Sequence, residues 1–236
     1  MKHILITGAT GGLGGALTEQ CLAHEHHVTG LHGTSRTSTH MNSHLTLHSV
    51  DFLDLQATTE MAKTLAQQPC DAFVHLAAFP LELAPFSKQP WNLFESQWRI
   101  MLQSAVILTQ ALLSGMRQRR NGHIIYCLSA ATLAAAPKGM SAYTSAKYAL
   151  LGLARSVAAE CKDTGILVTC ISPGPMNTRL LRNLPEVAKS QLREHAANHE
   201  FLDPTLVAKS ILRLLENPDP SLHDTNLPLL NMTDMP

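Results

Sequence analysis

The chain has 236 residues, 45% of them hydrophobic, and its 18 basic side chains are balanced by 18 acidic ones. That length suits one domain with a sizeable core and leaves no room for a second, substrate-binding domain. Zero formal charge gives no electrostatic case for a nucleic-acid or membrane partner, and no run approaches the ~18 consecutive apolar residues of a membrane span.

Five cysteines, an odd number without paired spacing, point to reduced thiols and a cytoplasmic compartment. Because the first strand starts at once, no cleaved leader is expected. The thirteen histidines include His24, His26 and His27, which fall in the short connection before the second strand and read as a polar turn. No metal site is expected from them.

The first apolar run, residues 4–6, is of strand type. It leads into Gly8, Thr10, Gly11, Gly12, Leu13 and Gly14, after which Ala16, Leu17, Cys21 and Leu22 recur at helical spacing. Strand, glycine turn and helix in that order let a backbone approach a pyrophosphate, which meets unpaired N–H groups at a helix N-terminus. Further strand-type runs follow at residues 28–32, 45–50, 72–76, 123–128 and 167–171. Helical patterns lie at 13–23, 57–67, 97–119, 142–162 and 204–216. This alternation predicts a parallel sheet covered on both faces. Residues 76–90 read as a loop, 34–43 as a polar exposed stretch, and 217–236 as an irregular tail. Ligands of such sheets bind at the carboxyl ends of the strands, and the glycine turn, Ser129 and Pro173-Gly174 all fall there.

In the helical pattern 142–162, Tyr143 and Lys147 stand four positions apart and share a face. An ammonium beside a phenol should lower its pKa and suit it to exchange a proton with a carbonyl or alcohol oxygen. Ser129 closes the fifth strand and can donate to a developing oxyanion; Ser141 and Ser145 are weaker competitors.

Together these motifs resemble the short-chain dehydrogenase/reductase family in its compact single-domain form, over nearly the whole chain. The resemblance implies an α/β fold: a doubly wound parallel sheet with helices on both faces (Rossmann fold), in a single domain over residues 1–236 with a substrate lid around 176–204. It implies Ser129, Tyr143 and Lys147 as catalytic residues, Lys147 also bonding the nicotinamide ribose. Asp51 and Phe52 would lie against adenine, Ala77 and Ala78 along the adenosine, and Pro173, Gly174, Met176 and Thr178 against the nicotinamide and phosphates. Where an acidic residue would select NAD, the second strand is followed by Thr34, Ser35 and Arg36, so NADP(H) is favoured over NAD(H).

The expected activity is interconversion of a carbonyl and a secondary alcohol. A 3-oxoacyl thioester is one candidate substrate, with Arg117, Arg119 and Arg120 available to an acidic carrier. Leu180, Leu181 and Leu184 suggest an apolar wall, and the long apolar helix 97–119 suggests a homodimer or homotetramer.

Three departures from the family pattern keep alternatives open. Met101 stands where an asparagine is usual. His75-Leu-Ala-Ala78 resembles the longer epimerase-type relatives. The tail lacks terminal glycines. The alternatives are a nucleotide-binding protein with lost or reduced turnover that acts through a partner, and a nucleotide-sugar epimerase or dehydratase.

Overall fold

The structure is a computed structural model describing residues 1–33, 42–134, 136–194 and 196–231. Among the described residues, seven strands form one parallel sheet. They are β1 (His3–Thr7), β2 (His27–His32), β3 (Leu45–Ser49), β4 (Ala72–His75), β5 (Gly122–Cys127), β6 (Ile166–Pro173) and β7 (Thr225–Leu229), in the order β3-β2-β1-β4-β5-β6-β7. The helices are α1 (Gly12–Ala23), α2 (Leu55–Ala66), α3 (Trp91–Trp98), α4 (Ser104–Arg119), α5 (Ser141–Cys161), α6 (Glu186–Glu194) and α7 (Pro204–Glu216).

Alternation along each strand divides the core into two layers, because successive side chains leave opposite faces of a sheet. Leu5, Phe73, Ile124 and Tyr126 pack beneath α2, α4 and α5 with Leu65, Leu108, Leu112, Leu150 and Ala154. Ile4, Ile6, Val74 and Ile125 face α1 and α7, where Leu17, Cys21, Val207, Ile211 and Leu215 meet them. Burial on both sides is why these strands read as unbroken apolar runs. The chain winds outward from β1 to β3, then returns to pair β4 with β1. That reversal opens a crevice above the carboxyl ends of β1 and β4.

Polar side chains fix the helix starts. Asp54 accepts from the backbone N–H groups of Gln56 and Ala57 to cap α2. Asp203 caps α7 through Thr205, with Pro204 in the first turn where its missing N–H costs nothing.

Two expectations need correction. The tail is not irregular throughout: β7 pairs in parallel with β6, from Thr169 opposite Thr225 to Pro173 opposite Leu229. Pro228 disguises the strand, yet is tolerated because β7 is the outermost strand on that side. The segment 97–119 is also not one regular helix. Residues Arg99–Gln103 form a π turn between α3 and α4, so 3.6-residue spacing does not carry across it. From Trp91 to Arg119 the helical segment is long enough for a membrane span, and an 18-residue window within it has a mean hydropathy of 1.2. Its Ala105, Leu108, Leu112 and Met116 are instead buried in the domain core.

Candidate active site

The crevice has a volume of about 700 Å³ and is walled by the glycine turn after β1, the ends of β4, β5 and β6, and the segment before α6. The turn is built for backbone rather than side chain. Gly8 takes φ +69°, which glycine adopts without strain, and a Cβ at Gly14 would lie 2.0 Å from the Gly8 carbonyl oxygen. The start of α1 has no side-chain cap at Gly11, leaving its first N–H groups to face a ligand. Thr178 closes over this end: a Cβ on Gly12 would approach its Cγ2 to 2.6 Å. A cradle of this kind, opening into so large a crevice, fits a dinucleotide.

Ser129, Tyr143 and Lys147 meet on the crevice floor. The Ser129 hydroxyl lies beside the Tyr143 phenol, close enough to pull its pKa down, and accepts from the N–H of Ala131 at 3.3 Å. The Lys147 ammonium lies 5.6 Å from the Tyr143 ring centre and donates to the Cys127 carbonyl at 2.6 Å. Tyr143 and Lys147 are both buried, at 7% and 3% exposure. Burial pushes the Tyr143 phenol well up, against the pull of the neighbouring Ser129 hydroxyl. This is opposite to the lowering expected from sequence. Desolvation of the phenolate outweighs the Ser129 hydroxyl beside it, and burial also pushes the Lys147 ammonium down. The phenol is therefore protonated and poised to donate.

The model of the short chain dehydrogenase family matches residues 2–189. The chain belongs to that family. Among curated proteins it is 25% identical to benzil reductase ((S)-benzoin forming) of Bacillus subtilis (strain 168), over 92% of this chain and 94% of that one. It is 30% identical to (2S)-[(R)-hydroxy(phenyl)methyl]succinyl-CoA dehydrogenase subunit BbsD of Thauera aromatica, but the match spans only 53% of this chain and 52% of that relative. Two solved structures share the fold. 4-Hydroxyisoleucine dehydrogenase complexed with NADH superposes with a TM-score of 0.86 at 22% identity, covering 99% of both chains. ElxO with NADP bound gives 0.85 at 19% identity, covering 97% of this chain and 96% of the other. As a family member the protein is an oxidoreductase dependent on a nicotinamide cofactor.

Most residues singled out from the sequence converge on the crevice. Gly8, Thr10, Gly11, Gly12, Leu13, Gly14, Ala78, Ser129, Tyr143, Lys147, Pro173, Gly174, Met176 and Thr178 all line it. Asp51, Phe52 and Ala77 do not. Asp51 accepts from the N–H of Leu53, Phe52 belongs to the core, and Ala77 donates its N–H to Thr7. Thr34, Ser35 and Arg36 lie outside the described residues. Of the apolar wall, Leu180 and Leu181 line the crevice while Leu184 packs behind them. Ser145 is turned away, bonded to the Ala142 carbonyl and to the Trp98 indole. His24 and His26 both reach Glu216 on α7, at 2.8 and 3.4 Å.

Sequence reasoning missed the part played by His75. At 1% exposure, its Nδ1 lies 2.9 Å from the Thr7 hydroxyl and its Nε2 lies 3.0 Å from the Met101 carbonyl. The Thr7 oxygen already accepts from the N–H groups of Leu76 and Ala77, so its proton goes to Nδ1. Nε2 therefore carries the imidazole hydrogen and donates to Met101. Burial, reinforced by the Lys147 charge, pushes the His75 pKa down to about 3 and keeps the ring neutral. One side chain thus ties β1, β4 and the π turn together. The Met101 thioether packs with Tyr143 and Ala146, and its backbone carbonyl is the group in the network.

Proposed function

We propose that the protein interconverts an apolar carbonyl compound and its secondary alcohol with NADP(H). The observation that carries this is the meeting of Ser129, Tyr143 and Lys147 at the floor of a largely apolar crevice. In this reading the Tyr143 phenol gives its proton to the carbonyl oxygen, while Ser129 donates a hydrogen bond to the same oxygen as negative charge develops. Lys147, anchored on the Cys127 carbonyl, stabilises the phenolate left behind and bonds the ribose. The nicotinamide cofactor, when bound, supplies or accepts the hydride. Leu81, Met140, Leu180, Leu181 and Leu192 surround the substrate end and exclude water from the reacting carbonyl.

Preference for NADP(H) rests on the sequence after β2, which reaches Arg36 without a carboxylate and offers hydroxyls and a guanidinium suited to a 2′-phosphate. The five cysteines are buried and unpaired, in keeping with the cytoplasmic location that we propose.

A carrier-bound 3-oxoacyl thioester is disfavoured as substrate. Arg117, Arg119 and Arg120 precede β5, roughly 20 Å of strand away from the crevice at its other end. They are bonded to Glu160, the Cys70 carbonyl and the Asp163 carbonyl. For the homo-oligomer we favour a two-fold contact through α3 and α5. Trp91 is 66% exposed and Tyr148 49%, and Trp91 stacks on Phe94 at 6.1 Å. A dimer in sedimentation that Trp91→Arg dissociates would support this contact, and a monomeric wild type would exclude it.

The test is fluorescence titration with NADPH and NADH at matched salt, followed by turnover on a panel of apolar ketones and diketones. Tighter NADPH binding, by about tenfold or more, with ketone-dependent oxidation is expected. Equal binding of both nucleotides would remove the cofactor preference. Binding without turnover on any carbonyl would favour the non-catalytic alternative.

A further inference from the structure

Arg179 stands at the start of a short 3-10 turn, Arg179–Leu181, that begins directly after Thr178. The turn is fixed from two sides. The N–H of Leu181 donates to the Thr178 carbonyl at 3.0 Å, and the N–H of Leu81, beyond β4, donates to the Leu180 carbonyl at 3.1 Å. From this anchored backbone the guanidinium crosses the crevice and donates to the Thr10 carbonyl within the glycine turn. The cationic side chain therefore lies next to Gly11 and the N-terminal end of α1. The chain itself has no basic residue in the turn: Gly8 to Gly14 is wholly neutral. Among the described crevice residues the other cations are Lys147, committed to Tyr143 and Cys127, and Arg182 farther along the lid.

We propose that Arg179 binds a phosphate of the dinucleotide, supplying from the segment after β6 the positive charge that the glycine turn lacks. This rests on the reading of the crevice as a nucleotide site. A guanidinium presents five donors in one plane and pairs with phosphate oxygens through two parallel bonds. Held at Thr10, it works alongside the helix N-terminus, whose dipole end attracts the same anion. The contact also couples cofactor to lid, because Leu180 and Leu181 of the same turn form the substrate wall. Two phosphates share this chemistry: the diphosphate common to NAD and NADP, and the 2′-phosphate of NADP alone.

The experiment is a fluorescence titration of the wild type, Arg179→Ala and Arg179→Lys with NADPH and NADH, together with competition by 2′,5′-ADP and 5′-ADP. Arg179 is exposed, so both variants should unfold at the wild-type temperature. Arg179→Ala should weaken NADPH binding by about ten- to a hundredfold, the scale of a charge-assisted contact, and Arg179→Lys should recover part of it. An equal loss for NADH assigns the diphosphate. A loss confined to NADPH and 2′,5′-ADP assigns the 2′-phosphate. Dissociation constants unchanged within twofold for every ligand in Arg179→Ala would overturn the proposal while leaving the nucleotide site intact. A wild type that binds no nucleotide would overturn the reading of the site and this inference with it.

Discussion

Two buried histidines should make the fold acid-labile. Burial pushes His75 down to about 3 and His123 to about 4, whereas an unfolded chain titrates near 6.5. Because the native pKa lies below the unfolded one, the unfolded state binds more protons through this window. Stability is then complete above about pH 6.5 and falls as pH drops toward the native values. Between pH 7.5 and 5.0, each group should remove about 2 kcal/mol, and the pair about 4 kcal/mol, of an unfolding free energy that is typically about 5–15 kcal/mol. His26, also pushed down by burial, acts in the same direction. Urea unfolding at the two pH values measures the loss directly. In His123→Gln, which can keep the hydrogen bond to Thr169, the loss should fall by about half. A wild-type loss below about 1 kcal/mol, or an undiminished loss in that variant, would refute the buried-neutral assignment.

Other perturbations test the site. Gly14→Ala brings a Cβ to 2.0 Å from the Gly8 carbonyl, so the turn must open. NADPH binding should weaken by about tenfold or more, with a lower melting temperature, and an unchanged dissociation constant would show that the turn does not cradle the cofactor. Met101→Asn should lower thermal stability, since a polar group enters a fully buried position. It should leave kcat unchanged or raise it, because the His75 bond is to the backbone of residue 101. A large fall in kcat would assign the thioether a part of its own.

How much of this was legible depended on how local the signal was. The Tyr143–Lys147 spacing and the strand–glycine–helix order at Gly8 to Gly14 are fixed by a few consecutive residues, and both elements form as read. The strands buried on both faces announce themselves as apolar runs. β7 does not, because an outer strand pairs on one side only and can include Pro228. The π turn at Arg99–Gln103 has no composition of its own. Its Met101 carbonyl accepts a hydrogen bond from His75, twenty-six residues earlier, which no periodicity reveals. The sign of the Tyr143 shift was missed for a related reason: the sequence displays the lysine four positions on, while burial is a property of the assembled crevice. Arg179 likewise reaches the glycine turn only through the fold.

In the proposed mechanism the Tyr143 phenol is the acid that protonates the substrate oxygen. Nucleotide titration of Tyr143→Phe, followed by single-turnover oxidation of the bound NADPH with a carbonyl substrate, isolates that step. The variant should bind NADPH within about threefold of wild type and turn over about 10²–10⁴-fold more slowly. A Tyr143→Phe variant that binds NADPH normally and turns over at the wild-type rate would contradict it.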